Sequence, residues 1–143
     1  MLVAKGPAVG AKSVRPAAIP RPLGSSSADA GPKAGPLGGA ATLEKLAIAA
    51  VMAGCTPDHF PVVLAAIRAV CQPAFDLAEM QGTTHCIAPL VIVNGPARAA
   101  CGGLASGFGV MGPGHRANAS IGRALRLAMI NIGGARPGVS DMA

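Results

Sequence analysis

The apolar residues of this chain recur at helical spacing in three stretches, and the pattern predicts a helix in each. Thr42 is expected to cap the first helix, over residues 43–53. A short turn that begins with Pro57 is expected to lead into the second, over residues 61–70. The third is expected over residues 118–132, with an apolar stripe that faces a core and a thin polar strip outside.

One further apolar run, Ile87 to Val93, is short and rich in β-branched residues, and turn-forming residues flank it. This pattern predicts a fully buried strand. A single strand cannot satisfy its own backbone, so its partners are expected from poorly patterned parts of the chain, from another protein, or from chain beyond this sequence. Helices and a strand in alternation indicate an α/β or α+β fold, with helices packed on a small sheet in an incomplete domain over residues 42–143.

The N-terminal segment, residues 1–41, carries no such period and contains six prolines and seven glycines. Because it buries too little surface to offset its ordering entropy, it is predicted to be a disordered basic tail. Five basic side chains against one acidic give this tail a net charge of +4, out of +6 for the whole chain. The tail has no aromatic residue to stack on bases, which argues against nucleic acid as a partner.

The apolar runs of the chain are far shorter than the roughly 20 residues that span a bilayer, and no signal-peptide core is visible. The sequence therefore predicts a cytoplasmic protein without a membrane partner. Its four cysteines form no closely spaced pair, and without a secretory signal they are expected to be reduced thiols. They are Cys55, Cys71, Cys86 and Cys101.

The strongest chemical signal is the stretch between Glu79 and Asp141, which contains five arginines and no acidic residue. Within it, the glycine-rich residues 101–118 lead into the third predicted helix. Glycines permit close approach of the backbone, and a helix start favours negative charge. The sequence predicts a site for a small anion, a phosphate or a carboxylate, and the competing interpretation is a glycine-rich connector with solvated arginines. The predicted ligand-binding residues are Gly112, Gly114, Arg116, Asn118 and Arg123, together with Asn94 after the predicted strand.

A second group of residues offers thiol and imidazole chemistry. Cys55 lies in a loop before a helix start that favours the thiolate, and His59 is close enough in sequence to activate it. His85 precedes the predicted strand and is a candidate general base. Cys55 and His85 are therefore the candidate catalytic residues, with structural roles as the alternative. A zinc site is the remaining alternative, but no standard zinc motif has the spacing of Cys55, His59, His85 and Cys86, so no metal is predicted.

Three ordered blocks carry a resemblance to a known family: Thr42–Cys55, then Thr83–His85 with Pro89–Pro96, then Gly112–Leu127. Together they resemble an uncharacterised family of larger bacterial proteins associated with UGSC-type thioredoxin-like selenoproteins. The resemblance covers residues 42–143 and implies an intracellular enzyme or enzyme subunit linked to thiol or selenol redox chemistry. Members of that family are longer at both ends, so the chain resembles an internal part of them.

The function expected from the sequence is that of a fragment of an intracellular, enzyme-like protein that binds a small anionic ligand. Whether it catalyses a reaction, and with which cofactor, stays open at this point. One alternative is a non-catalytic assembly subunit whose apolar helices dock on a partner subunit or on a second copy. The other is a truncated gene product without activity.

Overall fold

The structure, a computed structural model, describes residues 2–4 and 35–142, the first three by their backbone alone. Helices dominate it, and two single 3-10 turns precede the second and third helices. The helices are α1 (Leu43–Ala53), α2 (Phe60–Val70), α3 (Leu77–Gly82), α4 (Pro96–Ala100) and α5 (Arg116–Asn131), and the strands are β1 (Leu2–Ala4) and β2 (Val91–Val93).

The three predicted helices are confirmed as α1, α2 and α5. The Thr42 side chain accepts a hydrogen bond from the Lys45 backbone N–H at 3.3 Å, which satisfies one free donor at the start of α1. Gly54 ends α1 with a φ of 88°, a left-handed conformation that glycine adopts without a steric penalty. The predicted turn is a 3-10 turn over Pro57–His59, and α2 follows it directly.

The core lies between α1, α2 and α5, and α5 packs mainly along α1. On α2, apolar residues that recur at helical spacing are buried, with Val63, Ile67 and Val70 each 1% exposed. Many of the buried residues of α1 and α5 are alanines, such as Ala50 and Ala128, whose small side chains let helices approach closely. The molecule therefore gains its apolar burial from helix-on-helix packing.

The strand β2 is shorter and more exposed than predicted. Only the last three residues of the run Ile87–Val93 form a strand, and they are half-buried. Pro89 lacks the N–H group that a longer strand would need, and Leu90 is 58% exposed. The strand pairs in parallel with β1, with Leu2 opposite Val91. The prediction of a fully buried strand is therefore wrong, and the expected layer of helices on a sheet is replaced by helices packed on one another with a minimal strand pair.

Most of the predicted disordered tail lies outside the described residues. Its last part, residues 35–41, passes over the C-terminal end of α5, and Ala41 is fully buried there. The approach is close, since a Cβ built on Gly39 would stand 1.7 Å from the Ile132 carbonyl oxygen. The packed region thus includes residues N-terminal to position 42.

The short helices α3 and α4 carry no apolar period long enough to predict them. In the described part of the chain, Asp76 before α3 is the one non-glycine residue with a positive φ, at 51°.

Over the same residues no single helix is long and apolar enough to cross a membrane. Taken together, the two helical segments Pro57–Val70 and Pro73–Gly82 are long and apolar enough for a span, but they are bent by 73° relative to each other.

Candidate functional site

The glycine-rich run forms a loop, residues 101–115, that ends at the first turn of α5. Two of its predicted site glycines, Gly112 and Gly114, have different structural roles. Gly112 has a φ of 119°, and a Cβ there would lie 2.9 Å from the Ala119 Cβ, so this glycine lets the loop rest against α5. Gly114 has a φ of 75°, and the space where its Cβ would lie is open. Of these two predicted ligand-binding residues, Gly114 lines the depression described below and Gly112 does not.

Asn118 fastens the glycine-rich loop to α5. Its Oδ1 accepts a hydrogen bond from the Ala105 N–H at 2.9 Å, and its Nδ2 donates to the Ala105 and Val110 carbonyl oxygens at 3.1 and 3.0 Å. Both amide protons are therefore used within the protein. The helix α5 begins at Arg116, two residues before the predicted start, and His115 holds the capping position.

A shallow depression of about 330 Å³ opens at the N-terminus of α5. Gly114, His115 and Arg116 form one side of it, and Thr56 and Asp58 lie among the residues from the 3-10 turn that line it. In the described part of the chain, no side chain caps this end of α5. The free N–H groups and the positive end of the helix dipole of a 16-residue helix therefore lie beside the depression.

Arg116 and Arg123 are predicted to grip one ligand together, but α5 separates them. Arg116 lines the depression, and its Nε donates to the Gly54 carbonyl oxygen at 2.8 Å, which ties the start of α5 to the end of α1. Arg123 is exposed, and at 1.5 Å per residue it lies about 10 Å further along the helix axis. It lines neither this depression nor the larger groove described below.

Cys55 and His59 are linked through Ser120, a residue that the sequence did not single out. The buried Ser120 Oγ lies 3.1 Å from His59 Nδ1, and its hydroxyl also neighbours the Cys55 thiol. The Thr56 backbone N–H donates to the same Nδ1 at 3.2 Å. Nδ1 therefore acts as an acceptor, which places the proton of the neutral ring on Nε2. His59 is 5% exposed, so the three side chains form a largely enclosed polar cluster.

The pKa of Cys55 does not favour a resting thiolate. Burial raises the pKa of this thiol above its ordinary value, although the neighbouring Ser120 side chain and the positive charge of Arg116 act in the opposite direction. The thiol is therefore protonated near neutral pH. The expectation that the helix start activates Cys55 does not agree with this direction of the pKa.

His85 and Asn94, the other two predicted site residues, lie outside this arrangement. The backbone N–H of His85 bonds the Thr83 hydroxyl at 3.3 Å in an exposed turn. Asn94 is exposed after β2, and neither residue lines the depression. Over the described ranges, no three His, Cys, Asp or Glu side chains gather as metal ligands.

A second cavity, a groove of about 820 Å³, was not signalled by the sequence. It runs along α5 between the extended residues 87–93 and the glycine-rich loop, and most of its lining is apolar. Arg98 braces the loop wall, since its Nε donates to the Leu104 carbonyl oxygen at 2.9 Å and its Nη2 to Ser106 Oγ at 2.8 Å. The other polar side chains that the groove reaches include Gln81 and Asp141.

Comparison of the chain with protein-family models, with curated proteins and with solved structures finds no match. The family resemblance of the three sequence blocks therefore stays a prediction. The depression, the polar cluster and the groove are the features that bear on function.

Proposed function

We propose that this protein binds a small anionic ligand, a phosphate or a carboxylate, at the N-terminus of α5. The observation that carries the proposal is the uncapped start of this helix beside a depression that Arg116 lines. Helix N-termini bind anions because their free N–H groups and the helix dipole both favour negative charge. Gly114 adds a backbone segment that a ligand approaches without meeting a side chain.

The guanidinium of Arg116 supplies the formal positive charge of this site. Within the described residues it donates to protein through Nε, so its Nη groups are the donors that face a ligand. Asp58 also lines the depression, and its carboxylate repels an anion. The balance of the two charges favours a single, weakly held anion. Replacing Asp58 is therefore expected to strengthen binding.

The polar cluster of Cys55, Ser120 and His59 supports the thiol-linked part of the proposal. Arg116 belongs to both sites, because its charge lowers the pKa of the Cys55 thiol against the effect of burial. An anion bound to Arg116 offsets this positive charge. Anion binding and formation of the thiolate therefore oppose each other, and a reactive Cys55 acts in the anion-free protein.

The proposal is tested by titrating the full chain with inorganic phosphate and following the amide NMR signals of Gly114 and Ala117. Wild type should show saturable shifts, and Arg116→Gln, which keeps a donor for the Gly54 carbonyl, should bind about 10-fold more weakly. Arg123→Gln is the matched control, with the same change of charge on the same helix, and should bind like wild type. Asp58→Asn should bind more tightly. Equal binding by the Arg116 and Arg123 variants would overturn the proposal.

A second candidate function, an assembly subunit, is favoured by the outer face of α1. Leu43, Ile48, Val51 and Met52 are each more than half exposed, which is unusual for four large apolar residues on one helix. An incomplete domain leaves such a face open, and a partner subunit or a second copy of the chain would cover α1 there. Light scattering of the purified chain tests this function. A dimer that Val51→Glu dissociates would support it. A monomer at high concentration would exclude a second copy as the partner.

A further inference from the structure

Gly122 lies in the middle of α5, at its seventh residue, where the local structure does not require glycine. Glycine is unfavourable inside a helix compared with alanine, so an interior glycine usually has a backbone or packing reason. Gly122 is helical, and a Cβ built on it would meet nothing within 4 Å. It is exposed and lines the groove. The absent side chain therefore leaves space in the groove that any other residue would fill.

Gln81 in α3 carries a buried acceptor without a partner. The residue is 3% exposed and lines the groove, and among the described residues its Oε1 has no hydrogen-bond donor. Its Nε2 donates to Asp141 Oδ2 at 3.4 Å. Turning the amide over would place Oε1 against this carboxylate, so the interaction with Asp141 fixes the amide orientation. A buried acceptor left unpaired is costly, which points to a donor supplied from outside the protein.

The charged side chains that line the groove already have hydrogen-bond partners within the protein. Asp141 is buried, and its Oδ2 forms an ion pair with Nη1 of Arg126. Arg98, the other charged side chain in the lining, donates to the Leu104 carbonyl and to the Ser106 hydroxyl. A charged ligand group would have to compete with these partners. The groove is therefore better suited to a neutral ligand.

We infer that the groove binds a neutral, mainly apolar organic molecule that carries one hydrogen-bond donor, such as a hydroxyl or an N–H group. The donor bonds Gln81 Oε1, and the apolar body lies over α5 against exposed apolar side chains that include Leu90 and Met111. The volume of about 820 Å³ falls in the range of small-molecule sites. This site is separate from the anion site, and the two share only Ala117 in their linings.

The test uses the full chain and a neutral fluorescent probe with one N–H donor, N-phenyl-1-naphthylamine. Its competitor is 1-phenoxynaphthalene, which has the same shape but an ether oxygen in place of the N–H. Wild type should bind the amine about 3- to 10-fold more tightly than the ether, the usual value of one hydrogen bond. In Gln81→Leu, which removes the acceptor, both should bind equally.

Gly122→Leu provides the second arm, because leucine favours the helix and its side chain enters the groove. This variant should bind both compounds at least 10-fold more weakly, while circular dichroism shows an unchanged helix content. Arg123→Leu, on the neighbouring position outside the groove, is the control and should bind like wild type. The proposal is overturned if the amine and the ether bind wild type equally, or if Gly122→Leu binds as wild type does. Failure of the amine to bind the full chain, as when another chain segment or a second copy fills the groove, also overturns it.

Discussion

The helical core of α1, α2 and α5 and the segment of residues 83–115 are stabilised in different ways. In the core, the apolar faces of the three helices pack against one another and are buried. In the segment, Cys101 is the one buried residue, and side-chain hydrogen bonds from Asn118 and Arg98 to backbone oxygens hold the loop. The depression and the groove both lie where the segment meets α5. The candidate sites are therefore found where a rigid helix supports a segment that is itself lightly packed.

Three isoleucines of different burial give the largest effect and the most direct test of this difference. Ile67→Ala, in the core at 1% exposure, should lower the free energy of unfolding by about 2–5 kcal/mol because it leaves a cavity. Ile92→Ala, in the half-buried β2, should cost roughly 1 kcal/mol. Ile48→Ala, on the exposed face of α1, should cost less than about 0.5 kcal/mol. Urea unfolding measures all three, and equal losses at Ile67 and Ile92 would mean that the segment is packed as tightly as the core.

Two glycines of the loop give an intermediate effect and show where the segment does touch the core helices. Gly112→Ala should destabilise the protein by about 1–3 kcal/mol, because its Cβ meets Ala119 and its φ of 119° is strained for alanine. Gly114→Ala has open space and a φ of 75°, so only the backbone term of about 1 kcal/mol applies. Urea unfolding again decides. A Gly114 variant as unstable as the Gly112 variant would place both glycines in packed positions.

The helices could be predicted because their signals are local. Thr42, Gly54 and Pro57 mark ends within one or two turns of the apolar residues that they flank. The burial of β2 could not be predicted, since it depends on which distant segment covers the strand, and Pro89 shortens the strand itself. The start of α5 was misplaced by two residues because Asn118, a good capping residue, bonds the loop instead.

The candidate site likewise has a part that is local in sequence and a part that depends on distant residues. Gly114 and Arg116 are neighbours in sequence, so the sequence could place them together at the start of α5. The contacts that shape the rest join residues far apart: Ser120 meets His59 across 61 positions, and Gln81 meets Asp141 across 60. Such pairs leave no period and no spacing in the sequence. They become visible only when the helices are packed.

The cysteine thiols give the smallest expected effect on the free energy of unfolding. Its pH dependence shows whether burial or the charge of Arg116 dominates the pKa of Cys55. Burial raises the pKa of Cys55 and of Cys71, so above about pH 9 the unfolded chain loses these protons before the native protein does. Because the native state then binds more protons, the free energy of unfolding should fall as the pH rises beyond that point. Urea unfolding between pH 7 and 10 should show a shallower fall in Cys55→Ala than in wild type. Cys71→Ala, the matched variant of a half-buried thiol at the end of α2, should reduce the fall as well. If Cys55→Ala instead steepens the fall while Cys71→Ala reduces it, Cys55 ionises more readily in the native protein than in the unfolded chain, and the charge of Arg116 outweighs burial. That result would separate Cys55 from Cys71 and restore it as a nucleophile beside the anion site.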